Sequence, residues 1–281
     1  MKKSVILVTG ASAGIGEATA RRLARAGHTV YAGARRMERL QALAGDGVRP
    51  LLLDVTDDAS MRAAIAHIER EAGVVDVLVN NAGYGSMGAL EDVPLDEARR
   101  QLDVNVFGLA RMCQLVLPGM RQKRAGRIIN VSSVGGRLSF PIGAWYHASK
   151  HAVEGLSDSL RMETRDFGIE VSVIQPGGTA SEWAQIANQR AQAASGAGPY
   201  GGFVQAMAQM LEGGPAVPAD AIAELIQRAV EDRRPRTRYV GPGGAKVALF
   251  LRRWIGDRAY DSLILWMMRR TLKKPALVRG T

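Results

Sequence analysis

A tyrosine and a lysine stand four residues apart in the stretch "WYHASK", as Tyr146 and Lys150. On a helix, positions i and i+4 share one face, so the phenol and the ammonium would project side by side. A phenol beside a cation is a candidate proton donor, although an ordinary surface pair has the same spacing. A second chemical feature is the run "TGASAGIG" at 9–16, which follows an apolar stretch and opens a helical one. Glycine at such a junction lets the backbone turn tightly and lets a pyrophosphate approach the amide donors of a helix N-terminus. The run has no Walker lysine, which argues against a nucleotide triphosphatase.

The segments that must position these groups alternate regularly. Apolar, β-rich runs at 4–10, 28–34, 48–55, 74–83, 126–133 and 169–177 are separated by helical patterns at 15–26, 60–71, 95–123 and 144–167. Continuous apolar strands with helices between them predict a doubly wound parallel α/β sheet, covered on both faces in three layers. The stretch 187–202, "ANQRAQAASGAGPYGG", has no strong apolar period and reads as a mobile excursion beside a ligand site. A further helix over 218–231 and a last strand over 236–240 complete the fold. The division expected is one catalytic domain over 1–240, with its substrate-site excursion at 187–215, and a helical, basic, amphipathic extension over 241–281.

Composition narrows the options. The 281 residues, 47% of them hydrophobic, suffice for a full core. The single cysteine, Cys113, allows no intrachain disulfide, which fits a reducing cytoplasm, and no cluster of Cys and His suggests a metal. The net charge of +10 lies largely in 233–274, so it is a property of the tail and does not point to nucleic acid. The tail segment 245–274 combines an apolar face with arginines and lysines, and is too interrupted to span a bilayer. It could cap a pocket, contact another subunit or lie on a membrane surface.

The glycine spacing G-x-x-x-G-x-G, "NNAG" at 80–83, Asn105 in "LDVNVFG", "NVSS" at 130–133, "YHASK" at 146–150 and "PGG" at 176–178 occur in one order over 4–181. Together they resemble the short-chain dehydrogenase/reductase family, which implies a Rossmann-type fold and an oxidoreductase. By that resemblance Tyr146 and Lys150 are the catalytic pair, Ser133 donates to the substrate oxygen with Ser132 as its structural neighbour, and Asn105 belongs to a proton path behind Lys150.

The resemblance also implies a nicotinamide cofactor. Its contacts would be Gly10, Ser12, Gly14, Ile15 and Gly16 at the turn, Asp54 and Val55 around the adenine, and Asn81, Ala82 and Gly83 along the edge. Tyr146, Lys150, Pro176, Gly177, Thr179 and Ser181 would sit near the nicotinamide, with Ser181 where the family usually has threonine. NAD-type members place an acid at the end of the second strand; here Ala34 is followed by Arg35 and Arg36. A guanidinium suits a 2′-phosphate because it can donate two parallel bonds, so NADP(H) is the cofactor expected. The resemblance leans toward hydroxysteroid and retinol dehydrogenases, hence toward a small hydrophobic carbonyl or alcohol substrate and a homodimer or homotetramer. A dinucleotide-binding regulator without turnover is the rival reading.

Overall fold

The structure is a computed structural model that describes residues 3–180, 182–213, 217–241 and 244–272. Seven parallel strands form the central sheet in the order β3-β2-β1-β4-β5-β6-β9. They are β1 (Val5–Thr9), β2 (Thr29–Ala34), β3 (Val48–Leu52), β4 (Val77–Asn80), β5 (Gly126–Val131), β6 (Ile169–Gln175) and β9 (Arg238–Val240). Two short strands, β7 (Thr179–Ala180) and β8 (Val217–Pro218), pair apart from it. The winding reverses between β1 and β4, and this places a crevice at the carboxyl ends of those strands, where open α/β sheets bind ligands.

The strands are apolar on both faces because both faces are covered. Ile6 and Val8 of β1 pack with α1 (Gly14–Arg25) and α9 (Ala219–Glu231), while Leu7 between them faces α3 (Asp58–Ala72) and α5 (Leu109–Lys123). The same alternation recurs at Val77, Leu78 and Val79. Strand side chains point to opposite faces in turn, so two apolar layers demand an unbroken apolar run. Cys113 lies in the second layer, and burial pushes its thiol up to about 12.

Two expectations need correction. The helix expected over 95–123 is divided into α4 (Leu95–Leu102) and α5 by a π-helical turn at Asp103–Gly108. Here the chain comes so close to the end of β3 that a Cβ on Gly108 would lie 2.5 Å from the Val55 carbonyl oxygen. The stretch 187–202 is not an irregular excursion; most of it lies in α7 (Glu182–Ser195) and α8 (Gly201–Gly213). The buried face of α7 consists of Ala187, Ala191 and Ser195. Small residues at i, i+4 and i+8 hold the helical period but carry almost no hydrophobic signal. The tail forms α10 (Ala245–Trp254) and α11 (Asp257–Leu272), parted at Gly256. Among the described residues no helix is long and apolar enough to cross a membrane.

Candidate active site

The β1–α1 turn is fixed by backbone geometry. Gly10 and Gly14 have φ of 65° and 59°, the left-handed region that side chains disfavour. A Cβ on Gly10 would also stand 2.7 Å from the Ala82 Cα. The Asn81 amide donates to the Thr9 and Gly10 carbonyls at 3.1 Å each, and the Ala82 N–H donates to the Thr9 hydroxyl at 3.0 Å. The ends of β1 and β4 are thereby stitched together. Ala13, just before α1, offers the helix no side-chain cap, so its first N–H groups are left to serve an anionic ligand.

A cavity of about 540 Å³ opens over this turn. Gly10, Ser12, Gly14 and Ile15 line its floor, Asp54, Val55, Asn81, Ala82 and Gly83 its side, and Pro176, Gly177 and Thr179 its far end. Gly16 does not line it. Its missing Cβ instead admits the Asn81 amide and the Gly10 carbonyl oxygen, each 2.5 Å from where that atom would be. Gly16 thus has a packing role at this turn. Ser181 lies outside the described residues.

At one end, Ala34 closes β2 without a carboxylate, and Arg35 and Arg36 line the cavity. The two arginines are not equivalent. Both are exposed, but Arg36 donates to the Ser12 hydroxyl at 3.1 and 3.0 Å, whereas Arg35 has only the Asp54 carboxylate 4.0 Å away. Burial pushes the Asp54 pKa up, but hydrogen bonds from the Thr56 amide and hydroxyl, with the charges of Arg35 and Arg100, outweigh it and leave the pKa lowered.

The other end holds the catalytic candidates. Tyr146 and Lys150 sit one turn apart on α6 (Ala144–Thr164), both buried, and the Lys150 Nζ donates to the Val131 carbonyl at 2.9 Å. Burial raises the Tyr146 phenol to about 12, opposed by Ser133 within hydrogen-bonding reach. Burial lowers Lys150 to about 8, opposed by the Glu154 carboxylate one turn along the helix. The Ser133 oxygen accepts the Gly135 N–H at 3.0 Å, while the Ser132 hydroxyl points to the Lys150 carbonyl at 3.5 Å. Ser133 is thus the serine presented to the phenol, and Ser132 is tied to helix backbone.

Asn105 lies in the π-helical turn, behind the cavity wall. Its amide takes the Tyr84 N–H at 3.0 Å and donates to the Tyr84 carbonyl at 2.9 Å and to the Ser149 hydroxyl at 3.0 Å. It makes no direct bond to Lys150; Gly83 stands between them, and a Cβ there would lie 3.1 Å from Asn105 Oδ1 and 3.6 Å from Lys150 Nζ.

Several site residues escaped the sequence reading. Trp183 of α7 leans over the Tyr146 ring at 5.1 Å between centroids, and with Met87, Phe140 and Met207 it makes an apolar wall. Helix α7 is fastened by ion pairs at its first turn and past its middle. Glu182 meets Arg36 at 3.3 Å and Arg39 at 2.7 Å, while Arg190 pairs with Glu97 and stacks on Tyr84 at 4.6 Å. His147 is buried and neutral: Nδ1 faces the Gly135 carbonyl at 2.9 Å, Nε2 accepts the Phe140 N–H at 3.3 Å, and burial lowers its pKa. It ties down the segment that carries Phe140. Helix α11 packs behind this wall through Met268 and Ile264, and its Tyr260 hydroxyl donates to the Ser139 carbonyl at 3.0 Å.

Residues 4–192 match the family model described as short chain dehydrogenase. The chain belongs to the short-chain dehydrogenase family. Among its relatives within the family is a 3-ketodihydrosphingosine reductase of Bacteroides thetaiotaomicron, 45% identical over 177 residues. That match spans 63% of this short-chain dehydrogenase and 64% of the reductase, so less than two thirds of the relative is covered. A short-chain dehydrogenase from Streptomyces avermitilis has a solved structure with a TM-score of 0.79 at 33% identity, covering 96% of this chain and 99% of that one. Solved neighbours at 26% to 28% identity, with TM-scores of 0.67 to 0.77, carry either NADP or NAD. This short-chain dehydrogenase is accordingly an oxidoreductase whose family acts between carbonyl and alcohol with a nicotinamide nucleotide.

Proposed function

We propose that this protein uses NADP(H) to move a hydride between the nicotinamide and the carbonyl or secondary alcohol of a hydrophobic substrate. One observation carries the reading: a single cavity brings Ser133, Tyr146 and Lys150 against the apolar wall of Met87, Phe140, Trp183 and Met207, with Arg35 and Arg36 at its other end. The uncapped α1, the glycine turn and the carboxylate-free end of β2 suit a dinucleotide with a 2′-phosphate. The similarity to a 3-ketodihydrosphingosine reductase favours a ketone on a long alkyl chain within the apolar class.

Bound NADPH supplies the hydride. The protein's part is to hold and protonate the oxygen. The Ser133 oxygen already accepts from Gly135, which leaves its own hydrogen to donate to the substrate carbonyl. The Tyr146 phenol donates a proton to that same oxygen. A phenolate left in so dry a place is costly, and the neighbouring Lys150 ammonium offsets that cost. Alcohol oxidation runs the same proton backwards, with the phenolate as base.

The test is nucleotide consumption with purified protein and a homologous series of methyl ketones. Turnover with NADPH exceeding that with NADH, and a KM that falls as the chain lengthens, is the expected result. Saturable NADPH binding with no turnover on any apolar ketone would favour the regulatory alternative.

A further inference from the structure

The two helices of the C-terminal extension differ in what they do with their apolar side chains. In α11, Tyr260 and Met268 are buried and the helix packs on α8. In α10 no residue is buried. Val247, Phe250, Leu251 and Trp254 fall at i, i+3, i+4 and i+7, so they form one stripe, and they are 60%, 64%, 43% and 72% exposed. A ten-residue helix gains little stability in water unless its apolar face is covered.

We infer that this stripe docks on the surface of an anionic lipid bilayer, with α10 lying in the boundary between headgroups and acyl chains. Charge selects this occupant. Across α10 and α11, Lys246, Arg252, Arg253, Arg258, Arg269 and Arg270 stand against only Asp257 and Asp261. Arg253 lies 5.9 Å over the Trp254 ring and Arg270 lies 5.1 Å over Trp266. Arginine stems beside indoles suit the lipid–water interface, where the stem is buried and the charge reaches the headgroups. A second copy is a poor cover, because a two-fold contact through α10 would set the same cationic side chains against themselves. An anionic surface meets them with opposite charge.

The position of α10 gives the docking a consequence. The helix starts just past the end of β9, at the carboxyl edge of the sheet, and a Cβ on Gly177 in the cavity wall would lie 3.5 Å from the Ala245 Cβ. The docked face and the cavity therefore lie at one edge of the molecule. A long-chain ketone dissolved in the bilayer would be delivered on that side. This consequence rests on the apolar-substrate reading, whereas the docking itself does not.

The experiment is flotation of the full chain with vesicles of phosphatidylcholine alone and with about one-third phosphatidylserine, at low and high salt. Wild type should bind the anionic vesicles, weaken as salt rises, and show a blue shift in tryptophan emission. Phe250→Ser with Trp254→Ser should lower the partition coefficient at least about tenfold. NADPH consumption with a short soluble ketone should stay within about twofold, which confirms that the variant is folded, because neither side chain lines the cavity. Lys246→Glu with Arg253→Glu is the second variant and should abolish the preference for anionic lipid while leaving the apolar stripe in place. Wild type failing to float with anionic vesicles, or floating equally well with the double serine variant, would overturn the proposal. So would a halved sedimentation mass for the serine variant without loss of lipid binding, which would assign the stripe to a second copy. Normal flotation with no ketone turnover would leave the docking standing and remove the enzyme reading instead.

Discussion

The two ends of the cavity are built by different means. The nucleotide end rests mainly on backbone: left-handed Gly10 and Gly14 and the uncapped start of α1, braced by the Asn81 side-chain amide on the Thr9 and Gly10 carbonyls. The substrate end is side chain: Met87, Phe140, Trp183 and Met207, from the loop after β4, the segment before α6, α7 and α8, backed by Met268 of α11 and held by the ion pairs of Glu182 and Arg190 on α7. A backbone cradle tolerates almost no substitution at its glycines. A wall of side chains on separate helices can be reshaped one residue at a time, which is how one fold serves many substrates. The catalytic pair stands where the two constructions meet, because α6 presents Tyr146 to the wall and Lys150 to the β5 end.

If that boundary is where the chemistry occurs, the largest effect should come from removing one oxygen there. Tyr146→Phe keeps the ring that packs against Trp183 but removes the proton, so kcat should fall about 10²–10⁴-fold with NADPH affinity held within a few-fold. Retention of a tenth of wild-type kcat would move proton transfer to another group. At the nucleotide end, Arg36→Ala should weaken NADPH about ten- to a hundredfold and NADH far less. Arg35→Ala should do less, since Arg36 is held by Ser12 and Arg35 is not. Equal losses for both nucleotides would make Arg36 a structural clamp and blur the division between the two ends.

The dryness of the boundary can be measured in the nucleotide-free protein. Lys150 drops to about 8 from 10.5, so between those values the unfolded chain carries a proton the folded protein has released, and stability rises with pH. Tyr146 rises from 10.0 to about 12, so above pH 10 the folded protein keeps a proton the unfolded chain has lost, and stability falls. Wild type should therefore gain about 2 kcal/mol on Lys150→Met between pH 8 and 10, read from denaturant midpoints. Trp183→Ala, which opens the wall to water, should shrink that gain. A pH-independent difference between wild type and Lys150→Met would show that the ammonium is hydrated where it stands.

Legibility in the sequence followed the same division. Each strand of the sheet and the glycine turn could be placed because backbone constraints and strand ends leave residue types at fixed spacings, whereas Ser133, Tyr146 and Lys150 were legible only through the family resemblance. At Gly16 the motif records that glycine is needed and not which neighbour needs the space, which the structure shows to be Asn81 and the Gly10 carbonyl. Helix α7 leaves little trace in the sequence because alanine at Ala187 and Ala191 holds the period without hydrophobic contrast. Trp183 and Glu182 act through contacts with Tyr146 and Arg36, 37 and 146 positions away, and no local spacing encodes them. Nor does the apolar character of the tail tell α11, which packs, from α10, which does not.

The smallest effect expected lies at an ion pair that joins the two ends. Glu182, in the first turn of the substrate-side α7, bridges Arg36 at 3.3 Å and Arg39 at 2.7 Å on the nucleotide side. The guanidinia, Arg39 first, hold its carboxyl below the ordinary carboxylate range, so it is an anion at neutral pH. An anion there occupies Arg36 and repels any phosphate arriving beside it. Glu182→Gln removes the charge but keeps an oxygen that can accept from Arg39, so α7 should stay in place. NADPH should then bind about threefold tighter, with NADH unchanged, because the pair is exposed and surface charges act weakly. Raising the salt should shrink the gain. Glu182→Ala, which also loses the hydrogen bond, should in addition raise KM for long-chain ketones by loosening the start of α7 next to Trp183. Were Glu182→Gln to weaken NADPH as much as Arg36→Ala does, the carboxylate would be part of the phosphate site, aligning its arginines rather than competing for them. The two ends of the cavity would then be one construction with a shared ionic hinge.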